Sequence, residues 1–184
     1  MIDNEFAYEL SDEQAERFDF ESIISLVDMR QSEPISGIRT QNSVALQEAN
    51  EAFDRCLIGV SVFRLSSKKA TQEAHVDTNL AAPTTSRNCA INIKIGPHKS
   101  FVEWYTANDP ELRNHYGSKD YALHYFDLKN NTLRFSIETV RPILIDTNLP
   151  HLGYSIPQGG LLASLSFTKS FDEMRLWLKA SLFQ

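Results

Sequence analysis

The spacing of hydrophobic and polar positions changes twice along the chain. From Ser11 to about Asp54 apolar residues recur at helical intervals, from Leu57 they alternate in short β-branched runs, and after Ser170 the helical spacing returns. In the first stretch a short strand is predicted around Phe6-Ala7-Tyr8. Ser11 with Gln14 three residues on then has the form of a capping box, and Phe18, Ile23, Ile24 and Val27 carry a loose stripe to about Met29. Gln31 to Gly37, punctuated by Pro34, reads as loop. A second helix is predicted from Ser43 to Asp54, with Val44, Leu46, Ala49 and Phe53 as its apolar positions. These helices are expected to buttress a sheet rather than to carry chemistry.

The middle of the chain reads as strands. Ile58 to Leu65, Cys89 to Ile95, Phe101 to Tyr105, Leu133 to Ile137, Pro142 to Asp146 and Leu161 to Phe167 are rich in β-branched and aromatic residues. Thr106 to Tyr121 is polar and reads as a loop-like insertion or lid, and Leu80 to Ser86 as a loop beside the candidate site. Ser170 caps a closing helix with Glu173 at its third position; Met174, Leu176, Trp177, Leu178 and Leu182 supply its apolar residues. Roughly seven or eight short strands between residues 57 and 168, with helices at both ends, predict a mainly β (α+β) sandwich or barrel with helical support. The expectation is one domain over residues 1–184: helical support over 1–56, a β core over 57–168 and a closing helix over 169–184.

Composition narrows the function classes. The 184 residues are 42% hydrophobic and 23% charged, as in an ordinary globular protein, and carry a net charge of -6. Without a long Lys/Arg run this argues against a nucleic-acid partner or an anionic membrane surface. No apolar run reaches the roughly 18 residues that span a bilayer, and the acidic start lacks the form of a signal peptide, so a cytoplasmic location is expected. Two cysteines do not make a disulfide framework; Cys89 reads as a small buried hydrophobe. No Gly-rich phosphate loop and no nucleophile elbow is present.

The candidate chemistry lies in His75-Val76-Asp77 and in the distant His151. Two imidazoles and one carboxylate can hold a divalent iron on one face and leave the other positions open. At a strand end, side chains two apart point to one side, so His75 and Asp77 can reach a single ion. An isolated His-x-Asp is common; what distinguishes this one is its surroundings.

Those surroundings follow a set order: the strand Val62 to Leu65, then His75-x-Asp77, then Arg87-Asn88-Cys89-Ala90-Ile91-Asn92-Ile93, then Glu103-Trp104-Tyr105. Pro142 to His151 and Leu162 to Phe167 complete it. Over about residues 57 to 168 this resembles the double-stranded β-helix (jelly-roll, cupin-like) core of the iron(II)- and 2-oxoglutarate-dependent oxygenases, and in particular their small hydroxylase-like members. The resemblance implies that His75, Asp77 and His151 bind Fe(II), and that 2-oxoglutarate and molecular oxygen are co-substrates. It also implies hydroxylation of a small molecule or of an amino-acid or peptide side chain.

One family feature is absent. Members usually carry an Arg or Lys about ten residues after the distal histidine to pair with the far carboxylate of 2-oxoglutarate, since a buried carboxylate needs a charge-assisted partner. Ser155 to Phe167 contains neither. Lys94, Arg87, Arg134 and Arg64 are the candidate substitutes, and Asn92 is either a pocket hydrogen-bonder or an edge-strand residue; Lys94 shares strand parity with Asn92 and Ala90. Thr78 and Asn79 follow the ligands and could shape the shell around them, and Trp104 and Tyr105 are either core or substrate contacts. His98, His115 and His124, in or beside polar stretches, are expected to be exposed. The missing cation keeps a second reading open, a non-catalytic or 2-oxoglutarate-independent metal-binding jelly roll. Substrate identity and oligomeric state are left open.

Overall fold

In the computed structural model two six-stranded antiparallel sheets face each other. The structure describes residues 1–28, 35–68, 73–77, 87–114 and 122–181. In chain order the strands are β1 (Ala7–Glu9), β2 (Ile35–Arg39), β3 (Leu57–Arg64), β4 (Glu73–His75), β5 (Cys89–Ile95) and β6 (Lys99–Tyr105). They continue with β7 (Glu111–Asn114), β8 (Ala122–Asp127), β9 (Leu133–Glu138), β10 (Ile143–Asp146), β11 (His151–Ile156) and β12 (Leu161–Phe167). The helices are α1 (Asp12–Arg17), α2 (Phe20–Ser25), α3 (Val44–Glu51) and α4 (Phe171–Ser181). The first sheet runs β1-β10-β5-β12-β3-β2 and the second β7-β8-β4-β11-β6-β9.

Strand parity divides the core into layers. On the outer face of the first sheet, Val60, Val62, Ile91, Leu165 and Phe167 pack with helix residues that include Phe18, Leu46, Met174 and Leu178. Its inner face presents Ala90, Ile143 and Ile145 to Val102, Trp104 and Ile137 of the second sheet. Asn92 and Lys94 follow Ala90 at two-residue steps and so share that inner face, with Ser164 and Leu162 as their cross-strand partners on β12. On the far side of the second sheet, Ala74, Val76, Tyr105, Phe126, Leu152 and Tyr154 form a third apolar cluster. None of the described helices is long and apolar enough to cross a membrane.

Several predicted elements come out differently. The capping box forms, with Ser11 and Gln14 bonding reciprocally, but the stripe that follows is two short helices rather than one. Asp19 breaks it: at φ 37 it adopts a left-handed conformation that Asp tolerates, and its side chain accepts from the Ser22 N–H to cap α2. The loop predicted to reach Gly37 becomes strand from Ile35, because the edge of β3 is paired by β2. Gly37 suits this close pairing, since a Cβ would come 2.9 Å from Ser61 Oγ and 3.1 Å from the Val60 carbonyl oxygen. Val44, predicted as apolar lining, is 71% exposed, whereas Leu46 and Phe53 are fully buried. Within the polar stretch from Thr106 the chain forms β7, paired with β8; residues 115–121 lie outside the described residues. Ten strands, not seven or eight, therefore lie between residues 57 and 168 among the described residues.

Candidate metal centre

The second sheet assembles the three candidate ligands. His151 opens β11 and His75 closes β4, and the two residues are directly paired across the strands. His151 also pairs with Trp104 on its other side, so both imidazoles share the inner face that Trp104 occupies. Asp77 follows His75 by two residues and is tied down by its N–H, which donates to the Thr147 carbonyl at 2.9 Å. The ligand atoms of His75, Asp77 and His151 all lie within 4.8 Å of one another, a spacing that could hold a metal ion. His75 Nε2 is 3.2 Å from Asp77 Oδ1 and His151 Nε2 is 3.5 Å from Oδ2. The His75 side chain is 31% exposed against 6% for His151, so the site opens on the His75 side.

The hydrogen bonds fix the His151 ring and turn one of its nitrogens into the centre. His151 Nδ1 lies 2.9 Å from the Leu149 carbonyl, which can only accept, so Nδ1 carries a proton. The other nitrogen, Nε2, is thereby turned toward Asp77, 3.5 Å from Oδ2. Asp77 Oδ2 is buried without a hydrogen-bond partner, with the Arg87 guanidinium 3.0 Å away as its charge partner. Burial opposes the charged form of Asp77, but the Arg87 guanidinium, His151 and His75 outweigh it and hold the carboxyl well below the usual range. A carboxylate fixed in its charged form beside an imidazole whose tautomer is set by a carbonyl is a ready ligand pair.

The remaining candidates are distributed unevenly. Arg87 Nε stands 3.0 Å from Asp77 Oδ2, so this arginine belongs to the centre itself. Asn92 is buried and accepts from Ser164 Oγ at 2.6 Å. Lys94 is half-buried on the inner face, directly opposite Leu162, and its charge acts on His98. Arg134 is an exposed residue paired with Glu5 and stacked over Phe6, and Arg64 is exposed with a long hydrogen bond to the Gly159 carbonyl. Trp104 is fully buried, donates its Nε1–H to the Asp146 carbonyl and packs on Phe6 and Phe135, so it backs His151 as core. Tyr105 points to the opposite face of the sheet, where its hydroxyl donates to Glu103 at 2.5 Å. Thr78, Asn79 and His115 lie outside the described residues.

Two histidines predicted to be exposed are half-buried. His98 lies against Gly160, where a Cβ would come within 2.2 Å of its ring, and its Nε2 is 2.7 Å from Ser100 Oγ. His124 is part of β8, its ring edge-on to Phe126. The sequence reading also passed over Tyr125, the cross-strand partner of His75, whose ring centroid is 6.0 Å from the imidazole. The two-residue alternation around His124 and Phe126 was the available signal for that strand. Comparison with family models, with curated proteins and with solved structures gave no match to this chain.

Proposed function

We propose that the protein is a mononuclear non-haem iron(II) oxygenase of jelly-roll fold that uses 2-oxoglutarate to hydroxylate a small molecule or an amino-acid side chain. The observation that carries this reading is the convergence of the ligand atoms of His75, Asp77 and His151 within 4.8 Å of one another. Strand order supports the fold assignment. Setting aside β1, β2, β7 and β8, the strands from β3 to β12 fall in the first, second, first, second, second, first, second and first sheets. That palindrome is the order expected of a chain wound as a doubled-over helix of strands. Iron with 2-oxoglutarate supplies an oxidant strong enough to remove hydrogen from an unactivated carbon.

The chain's own residues have separate tasks. His75, Asp77 and His151 hold the ion on one face. Trp104 and the apolar residues around it keep water from that side, while the partial exposure of His75 marks the route for substrate. Lys94 is the favoured anchor for the far carboxylate of the co-substrate. The usual cation stands about ten residues beyond the distal histidine, near Leu162 on β12. Lys94 is the cross-strand neighbour of Leu162, one strand over on the same inward face. Asn92, one step nearer the ligands, adds a polar group with Ser164.

The apolar side chain of Leu162 favours a second reading, a metal-binding jelly roll that takes no 2-oxoglutarate. An anaerobic titration of the metal-free protein with iron(II) and then 2-oxoglutarate separates them. A weak visible charge-transfer band that saturates, and is lost in Lys94→Met but kept in Arg134→Met, is the expected result. Iron binding with no band moves the protein to the second reading, and absence of iron binding ends both.

A further inference from the structure

We propose that Arg87 is a positioning residue that confines Asp77 to a single ligand oxygen and so keeps the open face of the metal available; this rests on the metal-centre reading above. Arg87 Nε lies 3.0 Å from Asp77 Oδ2, and the arginine side chain is only 17% exposed. Both atoms are buried without a hydrogen-bond partner, so the contact is a charge pairing in which the guanidinium is seated against that one oxygen. Oδ1 faces His75 instead. A carboxylate with a fixed cation on one oxygen offers its other oxygen to an incoming ion.

Arg87 is held in place by the segment that delivers His151. Thr147, fully buried, accepts the Asp77 N–H through its carbonyl and donates its hydroxyl to the Arg87 carbonyl at 3.3 Å. Asn148 donates its side-chain amide to the Asn88 carbonyl, and the Asn88 N–H donates to the Phe167 carbonyl. Residues 87 and 88 are therefore pinned from two sides, by the turn before His151 and by the end of β12. One buried threonine sets the separation of the arginine and the carboxylate.

Two consequences follow for the metal. The Arg87 charge cancels that of Asp77, so the ion meets a formally neutral set of ligands and binds less tightly than it would to a bare carboxylate. Denticity is fixed at one, leaving about three positions of an octahedral ion open, where a chelating carboxylate would leave about two.

Mn(II) added to the metal-free full-length protein tests both, with affinity read by titration and bound water by proton relaxation. Arg87→Gln removes the charge; it is expected to tighten Mn(II) binding about tenfold and to lower the relaxation enhancement per bound ion by about a third. Arg87→Lys keeps the charge and is expected to stay within about twofold of the wild-type affinity. Unchanged relaxation in a folded Arg87→Gln protein overturns the proposal, as does weaker binding. Should Arg87→Gln fail to fold, tenfold tighter binding by Arg87→Lys overturns it equally. A wild-type protein that binds no Mn(II) removes the metal centre itself, a separate failure from the other two.

Discussion

Among the described residues two carboxylates are buried in or beside the second sheet, and they are served in opposite ways. Glu103, on the outer face of β6, is 2% exposed and saturated. Lys68 Nζ lies 2.6 Å from it, the Tyr105 hydroxyl donates at 2.5 Å, the Tyr154 hydroxyl at 3.2 Å and the Ser136 hydroxyl at 3.4 Å. Asp77, at the end of β4, is nearly as buried, yet one of its oxygens has no hydrogen-bond donor and faces an imidazole nitrogen and a guanidinium. A carboxylate given every partner by its own chain is a finished structural element. One that sits among imidazoles, with a guanidinium against a single oxygen, keeps its other oxygen for a cation that the cluster could hold. The sheet thus separates a stabilising face from a candidate binding face, and burial alone does not tell them apart.

The largest expected effect breaks the finished network. Glu103→Ala strands two tyrosine hydroxyls and a lysine, and should cost about 3–4 kcal/mol of stability in urea unfolding. Metal affinity should hardly move in the same variant. The mirror-image test adds a divalent metal at a hundred times its dissociation constant, which should stabilise the wild type by about 2.7 kcal/mol. Glu103→Gln should keep that gain and Asp77→Asn or His151→Ala should lose it, as melting curves with and without metal will show. A gain that survives in Asp77→Asn would place the ion elsewhere. Lys68→Met comes next, at about 1 kcal/mol, because the lysine side chain is 48% exposed and solvent already screens its pairing.

The contrast explains what was legible in the sequence. Cys89–Ile95 and Leu161–Phe167 matched their predicted strands to the residue, since both are central strands in which every position except Asn92 and Lys94 is apolar or small. Glu111–Asn114 was hidden because β7 is an edge strand whose polar side chains suit solvent, and nothing in its composition separates it from a loop. The three candidate ligands were legible because they are polar residues of ligand type at strand ends. The Arg87–Asp77 pairing was not, because Thr147 creates it across 60 residues of chain. Trp104 and Tyr105 were read together as neighbours. Alternation along β6 sends one to each face, and that simple parity could have assigned Tyr105 to Glu103 from the start.

The smallest effect is a dependence on pH that distinguishes the two faces without metal. Burial raises the cost of charging Glu103, but the Lys68 ammonium and the tyrosine hydroxyls outweigh it and keep its folded pKa below the ordinary glutamate value. The sign follows from that depression. The stabilisation is fully present above the unfolded pKa of about 4.3, and it is lost as pH falls through the lower folded value. Tyr154 moves the other way, its hydroxyl pushed up to about 12 by burial and by the Glu103 charge, so it remains a donor through the neutral range. Urea midpoints measured from pH 6 down to pH 3 should therefore fall less steeply in Glu103→Gln than in wild type. Glutamine cannot lose a charge it does not have, and the slope that remains belongs to the other acids, Asp77 among them. If the two slopes coincide, Glu103 has the same pKa folded and unfolded, and the network around it does not favour its charged form.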